Sequence, residues 1–240
     1  MAKTYYEPGT QRATKVNELF SRIAGRYDLI NDLQSFGLHR HWKKRVAREA
    51  NPRGGEKALD VCCGTGDIAL SLAQRGAEVI GLDFSERMLE IARHRKSRRG
   101  GDSARIQFVS GDAQNLPFPD ETFDVITIGY GLRNLTSWET GLREMQRVAR
   151  PGARLVILEF GKPENSAWRA VYELYLKLFS PALGFIFCGD PAAYSYILES
   201  LKHYPGQRVV GEKMRELSFI NVRVINLLGG AMSINYGEKR

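Results

Sequence analysis

The chain has 240 residues, of which 43% are hydrophobic and 26% are charged. This composition is close to the globular average, which excludes a disordered, a collagen-like and a coiled-coil protein. The 35 lysines and arginines against 27 acids give a net charge of +8. That charge suits nucleic acid, an anionic membrane surface, an anionic small molecule or an ordinary basic enzyme surface, and it selects none of them.

An amphipathic segment comes first along the chain. Its apolar residues recur at helical spacing: Val16, Leu19, Phe20, Ile23, Ala24 and Tyr27. For any one of them, a helix that faces the core is the simplest interpretation. As a set, they are also placed to cover the carboxyl ends of strands, where open α/β sheets bind ligands.

The middle of the chain alternates strands with helices. Strands are predicted at residues 57–62, 78–82, 105–109, 123–128 and 154–160. Helices are predicted after Gly66, at Ser85, whose hydroxyl is expected to cap the helix, and before the Pro151-Gly152 pair. Strands joined by helices of this length form right-handed crossovers. We therefore predict an α/β fold with a doubly wound, mostly parallel sheet.

The last third of the chain departs from this alternation. A second apolar set at helical spacing comprises Trp168, Val171, Tyr172, Tyr175, Leu176 and Phe179. Two strand-like runs, at 219–228 and 231–236, then flank Gly229-Gly230, a pair that suits a tight hairpin turn with positive φ. The sheet is therefore expected to end in an antiparallel hairpin strand.

We expect a single domain over residues 1–240, with an N-terminal helical cover at 1–50 and an inserted helical lid at 161–205. The first residues lack the apolar stretch of a signal peptide. The longest apolar runs, at 155–158 and 183–188, are shorter than the ~20 residues of a membrane-spanning helix. Three cysteines, two of them adjacent, predict neither a disulfide framework nor a zinc site. From these features we expect the protein to be located in the reducing cytoplasm.

A glycine-rich turn follows the first predicted strand, in the stretch DVCCGTGD at residues 60–67. Because glycine has no Cβ, a ligand can approach the backbone of Gly64 and Gly66 closely. Asp83 ends the second predicted strand and can accept both hydroxyls of an adenosyl ribose. Asp112 follows the third strand, where its carboxylate can accept the exocyclic amine of adenine. One such acid arises easily by chance in a loop, but the ordered trio predicts a nucleoside site.

Two nucleoside cofactors compete for this site. NAD requires its pyrophosphate at a helix N-terminus, which a three-glycine pattern serves, and here Ala69 stands in the third position. Asp67 would also repel a pyrophosphate. The sulfonium and ammonium groups of S-adenosyl-L-methionine instead tolerate acids such as Asp60 and Asp67. The sequence therefore favours S-adenosyl-L-methionine.

Four stretches are similar to successive motifs of class I methyltransferases, at residues 60–67, 81–85, 111–113 and 117–124. Three more are selective: YDLIND at 27–32 with FGLHRHWK at 36–43, GLRN at 131–134, and YSYILES at 194–200. From about Val16 to the C-terminus, the chain resembles the ubiquinone/menaquinone biosynthesis C-methyltransferase family. The resemblance implies the Rossmann-like fold of the class I methyltransferases.

The resemblance also implies S-adenosylmethionine-dependent C-methylation of a polyprenyl demethylmenaquinol ring in menaquinone biosynthesis, without a metal. The alternatives are a demethoxy-benzoquinol of the ubiquinone pathway, a nucleic acid, and a non-catalytic cofactor-binding protein. The chain lacks the Asn/Asp-Pro-Pro-aromatic motif common among enzymes that methylate base amines, so no nucleic-acid partner is expected. The expected cofactor contacts are Asp60, Gly64, Thr65, Gly66, Asp83, Phe84, Asp112, Ala113 and Gly129. Where some members have a serine, this chain has Gly129, which offers no side-chain contact.

Arg133, Asn134 and Tyr27 are the expected catalytic residues. The sulfonium methyl is already activated, so the chain has mainly to align it with the ring carbon, which becomes nucleophilic when a ring hydroxyl loses its proton. Arg133 would lower the pKa of that hydroxyl and stabilise the phenolate, while a water or a carboxylate takes the proton. A structural salt bridge to Asp28 or Asp32 is the alternative role for Arg133.

Two basic clusters are predicted to differ in role. Residues 93–99 end a predicted helix, where positive charge complements the helix dipole. Residues 39–45 mix Trp42 with cations, which suits a lipid headgroup region, whereas His39 is expected to be structural or interfacial. Because a prenylated quinol substrate resides in the bilayer, we expect peripheral membrane contact at the inner face of the cell membrane. The oligomeric state stays open, with a homodimer as one alternative.

Overall fold

The computed structural model describes residues 12–98, 105–188 and 192–240. Strands β1 to β7 comprise Lys57–Val61, Glu78–Asp83, Ile106–Ser110, Phe123–Gly129, Ala149–Phe160, Phe219–Leu227 and Met232–Lys239. Helices α1 to α9 comprise Arg12–Ile23, Tyr27–Ser35, Leu38–Ala50, Asp67–Ala73, Glu86–Ser97, Trp138–Val148, Ser166–Cys188, Ala192–His203 and Gln207–Glu216. Short 3-10 turns lie at Ala24–Arg26, Leu132–Asn134 and Leu228–Gly230.

The strands form one seven-stranded sheet in the order β3-β2-β1-β4-β5-β7-β6. Strands β1 to β5 are parallel, and β7 is antiparallel to both β5 and β6. The predicted α/β class and antiparallel end are confirmed. Because the chain winds outward from β1 to β3 and then returns to β4 on the other side of β1, the loops after β1 and β4 diverge. Such a switch point leaves a crevice at the carboxyl edge of the sheet.

Helices cover both faces of this sheet. Along β1, Ala58 faces a core layer with α3 and α4, whereas Leu59 and Val61 face a second layer with α6 and α9. All three residues are fully buried. A strand that is covered on both faces has a continuous run of apolar residues in the sequence. For this reason the hydrophobic pattern predicted these strands well.

The hairpin turn requires glycine at two successive positions. Gly229 and Gly230 have φ values of 62° and 92°, as their pairing in the sequence predicted. A Cβ on Gly229 would lie 2.8 Å from Nε1 of Trp168, which donates a 3.0 Å hydrogen bond to the carbonyl of Leu228. The turn therefore holds the start of α7 against the end of the sheet.

Two boundaries differ from the sequence-based expectation. The pair Pro151-Gly152 lies inside β5 rather than in a loop before it, because β5 begins at Ala149, which pairs with Phe123 of β4. The ladder is irregular between Phe123 and Val125, where the proline is accommodated. Helix α9 was not predicted.

A third apolar cluster joins the first two helices to two helices between β5 and β6. Leu19 and Ile23 of α1 and Ile30 of α2 pack with α7 and α8, whose buried members are Leu176, Leu183, Tyr196, Ile197 and Leu201. Both apolar sets singled out in the sequence belong to these helices. Helices α1 and α2 thus meet α7 and α8 in a layer of their own beside the sheet.

Helix α7 departs from the expectation that no segment is long and apolar enough to cross a membrane. Its residues Ser166–Phe187 meet that criterion by length and composition, although only 28% of the most apolar window is buried. One side of α7 packs against α8 and α2. The rest of the helix leaves large apolar side chains exposed.

Candidate active site

Two main cavities open at the carboxyl edge of the sheet. The first, named here the loop cavity, lies among the loops that follow β1 to β4 and is covered by α1. The second, named the apolar cavity, is larger, with a volume of about 260 Å³, and lies among α2, α3, α7 and α8. Among the described residues, only Tyr27 and Tyr130 line both. These two side chains mark the junction of the cavities.

The turn after β1 is shaped by its glycines. Gly64 and Gly66 have φ values of 54° and 84°, which favour glycine, and a Cβ on Gly66 would lie 2.9 Å from the ring of Phe108. Cys62 also has a positive φ, of 53°. This backbone brings Gly64 into the wall of the loop cavity.

Asp83 lies in the wall of the loop cavity at the end of β2. One carboxylate oxygen accepts a 2.8 Å hydrogen bond from the Gly64 amide, and the other accepts a 2.9 Å bond from the Ser85 amide. Burial raises the pKa of the Asp83 carboxyl. Each oxygen retains a lone pair for a further donor, so Asp83 can still accept two hydroxyls.

Ser85 is the N-cap of α5, as predicted, but its hydroxyl does not cap the helix. Its Oγ lies 3.2 Å from the Oγ of Ser21 on α1 instead. The hydroxyl is therefore used to hold the covering helix against the loop cavity.

The far end of the loop cavity contains the other predicted nucleoside contacts. Phe84, Asp112 and Ala113 all line it. Phe84 is 52% exposed at the cavity wall, where its ring is available for stacking. Asp112 accepts a hydrogen bond from the Gln114 amide through Oδ1. The structure therefore brings the ordered trio of loops together around one cavity.

Asp60 and Thr65 lie in a small recess beside the junction, which Gly129 also lines. Asp60 is 1% exposed and accepts hydrogen bonds from Thr127 Oγ1 and the Ala69 amide, so it ties β1 to β4 and α4. Burial raises the pKa of Asp60 to about 7. A Cβ on Gly129 would lie 2.6 Å from Ile68 Cδ1, so a side chain at this position would require Ile68 to move.

The prediction that Asp67 would repel a pyrophosphate is wrong. Lys43 lies 2.8 Å and Arg95 lies 2.5 Å from its carboxylate oxygens. Burial acts in the opposite direction, yet these two cations hold the pKa of the Asp67 carboxyl well below its usual range. The charge of Asp67 is therefore balanced within the protein and exerts little net repulsion on a ligand.

Arg95 also holds together the loop that precedes α4. It donates to Asp28 Oδ2 and to the Thr65 carbonyl at 3.0 Å, in addition to its bond to Asp67. Thr65 Oγ1 in turn donates to Asp28 Oδ1. The basic cluster at the end of α5 is thus more than a complement to the helix dipole, because Arg95 links α2, α4 and α5.

Arg133 lies in the 3-10 turn after β4 and lines the apolar cavity. Its partner is Glu159 of β5, at 2.6 Å, rather than Asp28 or Asp32 as the alternative interpretation expected. Both side chains are almost fully buried. Although burial opposes it, the Glu159 carboxylate raises the pKa of the Arg133 guanidinium. The cation is permanent, and the Phe160 ring packs against it at 4.6 Å.

Asn134 and Tyr27 lie close to the junction. Asn134 lines the loop cavity and donates a 3.1 Å hydrogen bond to the Tyr130 carbonyl, while its buried Oδ1 has no partner among the described residues. Burial raises the pKa of Tyr27 well above its usual value. The tyrosine is therefore a neutral hydrogen-bonding group at the junction.

His39 is buried, as a structural role would require, but it also lines the apolar cavity. Its Nε2 lies 2.8 Å from Asp32 Oδ1. Burial lowers its pKa despite this carboxylate. Trp42 and Lys43 are also buried, so neither contributes to an exposed headgroup-binding face, contrary to the sequence-based expectation.

Several side chains around Arg133 were missed from the sequence. Glu159, Tyr130 and Phe160 were not singled out, and Tyr172 and Tyr196 appeared only as members of apolar or motif patterns. One signal in the sequence could have revealed this pair. Glu159 is an acid inside an apolar strand, and a buried charge requires a partner of opposite charge. Among the described residues, no group of three or more His, Cys, Asp or Glu side chains could hold a metal ion.

Comparison with known proteins gives matches over almost the whole chain. The model of the ubiE/COQ5 methyltransferase family matches residues 9–239. The demethylmenaquinone methyltransferase of Staphylococcus saprophyticus is 40% identical over 228 residues, which cover 94% of this chain and 96% of that protein. The ubiquinone/menaquinone biosynthesis C-methyltransferase of Azotobacter vinelandii is 40% identical over 235 residues, with coverages of 97% and 92%.

Among solved structures, a SAM-dependent methyltransferase from Aquifex aeolicus matches with a TM-score of 0.62 and 21% identity. The match covers 89% of this chain and 98% of that one. At this identity the similarity concerns the fold alone.

Proposed function

This chain belongs to the ubiE/COQ5 methyltransferase family, and on that premise we propose that it methylates a ring carbon of a demethylated polyprenyl quinol with S-adenosyl-L-methionine. Demethylmenaquinol is the favoured substrate, as the name of the staphylococcal relative indicates for that protein. The name of the Azotobacter relative also includes ubiquinone, so a demethoxy-benzoquinol is the second candidate. The observation that carries the proposal is the meeting of a loop cavity and an apolar cavity at Tyr27 and Tyr130.

The loop cavity fits the cofactor. Asp83 retains a lone pair on each oxygen for the ribose hydroxyls, Asp112 can accept the adenine amine, and Phe84 can stack on the base beside Ala113. The methionyl part would follow the backbone of Gly64, Thr65 and Gly129 past Asp60 and the recess. Gly66 lines neither the recess nor the two cavities and would instead shape the turn against Phe108. The donor supplies an activated methyl group on a positively charged sulfur.

The residues around Arg133 would prepare the acceptor ring. Its guanidinium favours the ionised ring oxygen, and this raises the nucleophilicity of the adjacent ring carbon. Arginine stays protonated, and Glu159 is engaged by Arg133 and by the Phe160 amide, so we assign the proton to a water molecule. Tyr27 and Asn134, near the junction, would orient the ring toward the methyl group.

Of the cover expected at 1–50 and the lid expected at 161–205, residues 1–11 and 189–191 lie outside the described residues. The described helices, α1 to α3 and α7 with α8, would act as cover and lid. Ala13, Val16, Asn17 and Phe20 of α1 line the loop cavity, whereas side chains of α2, α3, α7 and α8 line the apolar cavity. The cofactor would therefore be enclosed by loops under α1 and the quinol ring mainly by helices, and both enclosures exclude water from the reacting groups.

Peripheral membrane contact is supported by an exposed apolar face on α2, α7 and the turn between α2 and α3. Its members are Leu29, Leu33, Phe36, Leu38, Val171, Leu174, Leu178, Phe179, Phe185 and Ile186, each at least 36% exposed. Phe36, Leu38 and Val171 also line the apolar cavity, so the cavity opens on this face. A prenyl chain leaving the cavity would enter the lipid there.

The reaction itself is tested by methyl transfer from labelled cofactor. Purified protein is incubated with demethylated naphthoquinols, demethoxy-benzoquinols and total RNA, and the masses of the products are recorded. We expect label only in the quinols and most of it in the naphthoquinol. Labelled RNA, or no labelled quinol from protein that binds the cofactor, would overturn the proposal.

A further inference from the structure

The walls of the apolar cavity contain buried polar atoms without hydrogen-bond partners among the described residues. These atoms are the hydroxyl groups of Tyr130 and Tyr172, the Nε of Arg133 and the Nδ1 of His39. Buried polar groups are almost always paired, because each unpaired one costs about 1–3 kcal/mol. Four such atoms on residues around one cavity indicate that a ligand supplies missing partners, and the two tyrosine hydroxyls are the ones closest in kind to a diol's own groups.

The Tyr130 side chain lies where the two cavities meet. Its carbonyl accepts hydrogen bonds from both Arg133 and Asn134, and its ring contacts Phe160, with ring centres 5.6 Å apart. Its φ of 61° is rare for an aromatic residue and costs backbone energy. The fold thus retains an unfavourable backbone conformation and an unpaired hydroxyl at the same residue.

Tyr172 approaches the same region from α7. Its hydroxyl lies close enough for Arg133 and Glu159 to affect its ionisation, and Tyr130 in turn is affected by Tyr172. Burial raises the pKa of both tyrosines, so their hydroxyls stay protonated and able to donate. Unlike Tyr130, Tyr172 lines the apolar cavity alone.

We propose that the hydroxyl groups of Tyr130 and Tyr172 bind the two ring oxygens of a 1,4-diol. Tyr130, at the junction, bonds the oxygen beside the methylated carbon, and Tyr172 bonds the oxygen across the ring. The inference rests on the proposed function and names the groups that select a quinol over a simple phenol. Arg133 stabilises negative charge on the first oxygen, and the tyrosines set the position of the ring.

The chain offers a matched control for this inference. Tyr204 also has a buried hydroxyl without a partner among the described residues, but it lines neither cavity. Tyr130→Phe, Tyr172→Phe and Tyr204→Phe each remove one oxygen atom of the same kind. Replacing an unpaired hydroxyl by hydrogen is not expected to destabilise the fold, so all three variants should keep the wild-type melting temperature or exceed it.

The probes are 1,4-naphthalenediol and 1-naphthol, titrated anaerobically by calorimetry into protein saturated with S-adenosylhomocysteine. We expect Tyr130→Phe and Tyr172→Phe to bind the diol about 3- to 10-fold more weakly than the wild type, the loss of one hydrogen bond each. Tyr172→Phe should bind 1-naphthol unchanged. Tyr204→Phe should bind both probes unchanged.

Equal affinity of all variants for the diol would overturn the inference while leaving the proposed function intact. A wild-type protein that binds S-adenosylhomocysteine but neither aromatic probe would overturn the inference, and the proposed function would fall with it only if the same protein also transferred no methyl group to a prenylated quinol. If Tyr204→Phe lost diol affinity as the cavity variants do, the effect would come from the fold and the inference would also fail.

Discussion

At the scale of single residues, Arg133 and Glu159 illustrate how a buried ion pair can serve a site. Arg133 makes bonds to Glu159, to the Tyr130 carbonyl and to the Tyr196 hydroxyl, at 2.6, 2.7 and 3.3 Å. These bonds fix the guanidinium and leave Nε without a partner among the described residues. The ion pair therefore fixes the position of the guanidinium and leaves one of its N–H groups able to donate a hydrogen bond to a ligand.

Removing the cation alone should damage the fold as well as catalysis. Arg133→Ala leaves the Glu159 carboxylate buried and unpaired, which costs about 3–5 kcal/mol of unfolding free energy. We therefore expect the double variant Arg133→Met with Glu159→Gln to remain folded and to bind S-adenosylhomocysteine. Its turnover should fall about 100- to 1,000-fold. Turnover near the wild-type rate in the double variant would show that Arg133 is only structural.

Asp60 should make stability depend on pH in an unusual direction. Its pKa is about 7 in the folded protein, whereas the ordinary value of 3.8 applies to the unfolded chain, so between pH 4 and 7 the folded state holds a proton that the unfolded state has lost. Stability attributable to Asp60 therefore falls as pH rises through this window, by at most ~1.4 kcal/mol per pH unit. Denaturant unfolding of Asp60→Asn from pH 4.5 to 7 should lack this slope.

The control for Asp60 is Asp124→Asn. The Asp124 pKa is lowered, mainly by hydrogen bonds from the Lys57 amide and Arg150 that outweigh burial, so its contribution is constant above pH 4.5 and is lost only at lower pH. This variant should be less stable at every pH in the window while keeping the wild-type slope. Parallel curves for wild type and Asp60→Asn would contradict the prediction.

At the scale of elements, the strands were predictable and the helix contacts were not. The starts of β1 and β2 are those expected, because a strand buried on both faces reads as a continuous apolar run. Helix α9 and the first residues of β5 were missed, since tertiary pairing with β4 decides where β5 begins. The pairing of Asp67 with Lys43 and Arg95 depends on how three helices meet.

Arg95 connects helices α2, α4 and α5, and we expect this connection to affect cofactor affinity. Arg95→Gln would remove one partner each from Asp28, Asp67 and the Thr65 carbonyl, and the glycine turn would lose part of its support. Calorimetry with S-adenosylhomocysteine should show affinity reduced about 10-fold or more, from the loss of charge-assisted hydrogen bonds. The matched control is Arg93→Gln, because Arg93 pairs with the exposed Glu86 and should change affinity less than twofold. Equal losses in both variants would exclude a specific role for Arg95.

At the scale of the whole molecule, the sequence predicted the fold class, the order of the nucleoside loops and the presence of two outlying helical segments. It could not predict that these segments, far apart in the chain, pack into one cluster around the apolar cavity. Nor could it distinguish the buried side of α7 from the exposed side. Trp42, expected at a lipid surface, is instead buried in the wall of that cavity.

The exposed apolar face should decide membrane binding. Phe36, a member of this face, is 78% exposed, and the centre of its ring lies 6.5 Å from that of the Phe179 ring. We expect Phe36→Asp to reduce sedimentation with phosphatidylglycerol-containing vesicles several-fold, because the charge must enter the interface. Ile220→Asp, on β6 and 43% exposed, should sediment as the wild type does. Loss of vesicle binding in both variants, or in neither, would contradict this assignment of the face.

The junction formed by Tyr27 and Tyr130 has a kinetic consequence. Among the described residues the two cavities share only these side chains, and apart from α1, whose Ile23 reaches the apolar cavity, different helices enclose each one. Neither occupant should therefore obstruct the exchange of the other. Donor and acceptor should therefore bind in random order, and spent donor can be replaced while a lipid stays in place. An unreactive analogue of either ligand should then compete with that ligand alone and inhibit noncompetitively against the other, whereas a compulsory order makes the analogue of the second ligand uncompetitive against the first. A compulsory order would mean that one ligand reshapes the entrance used by the other.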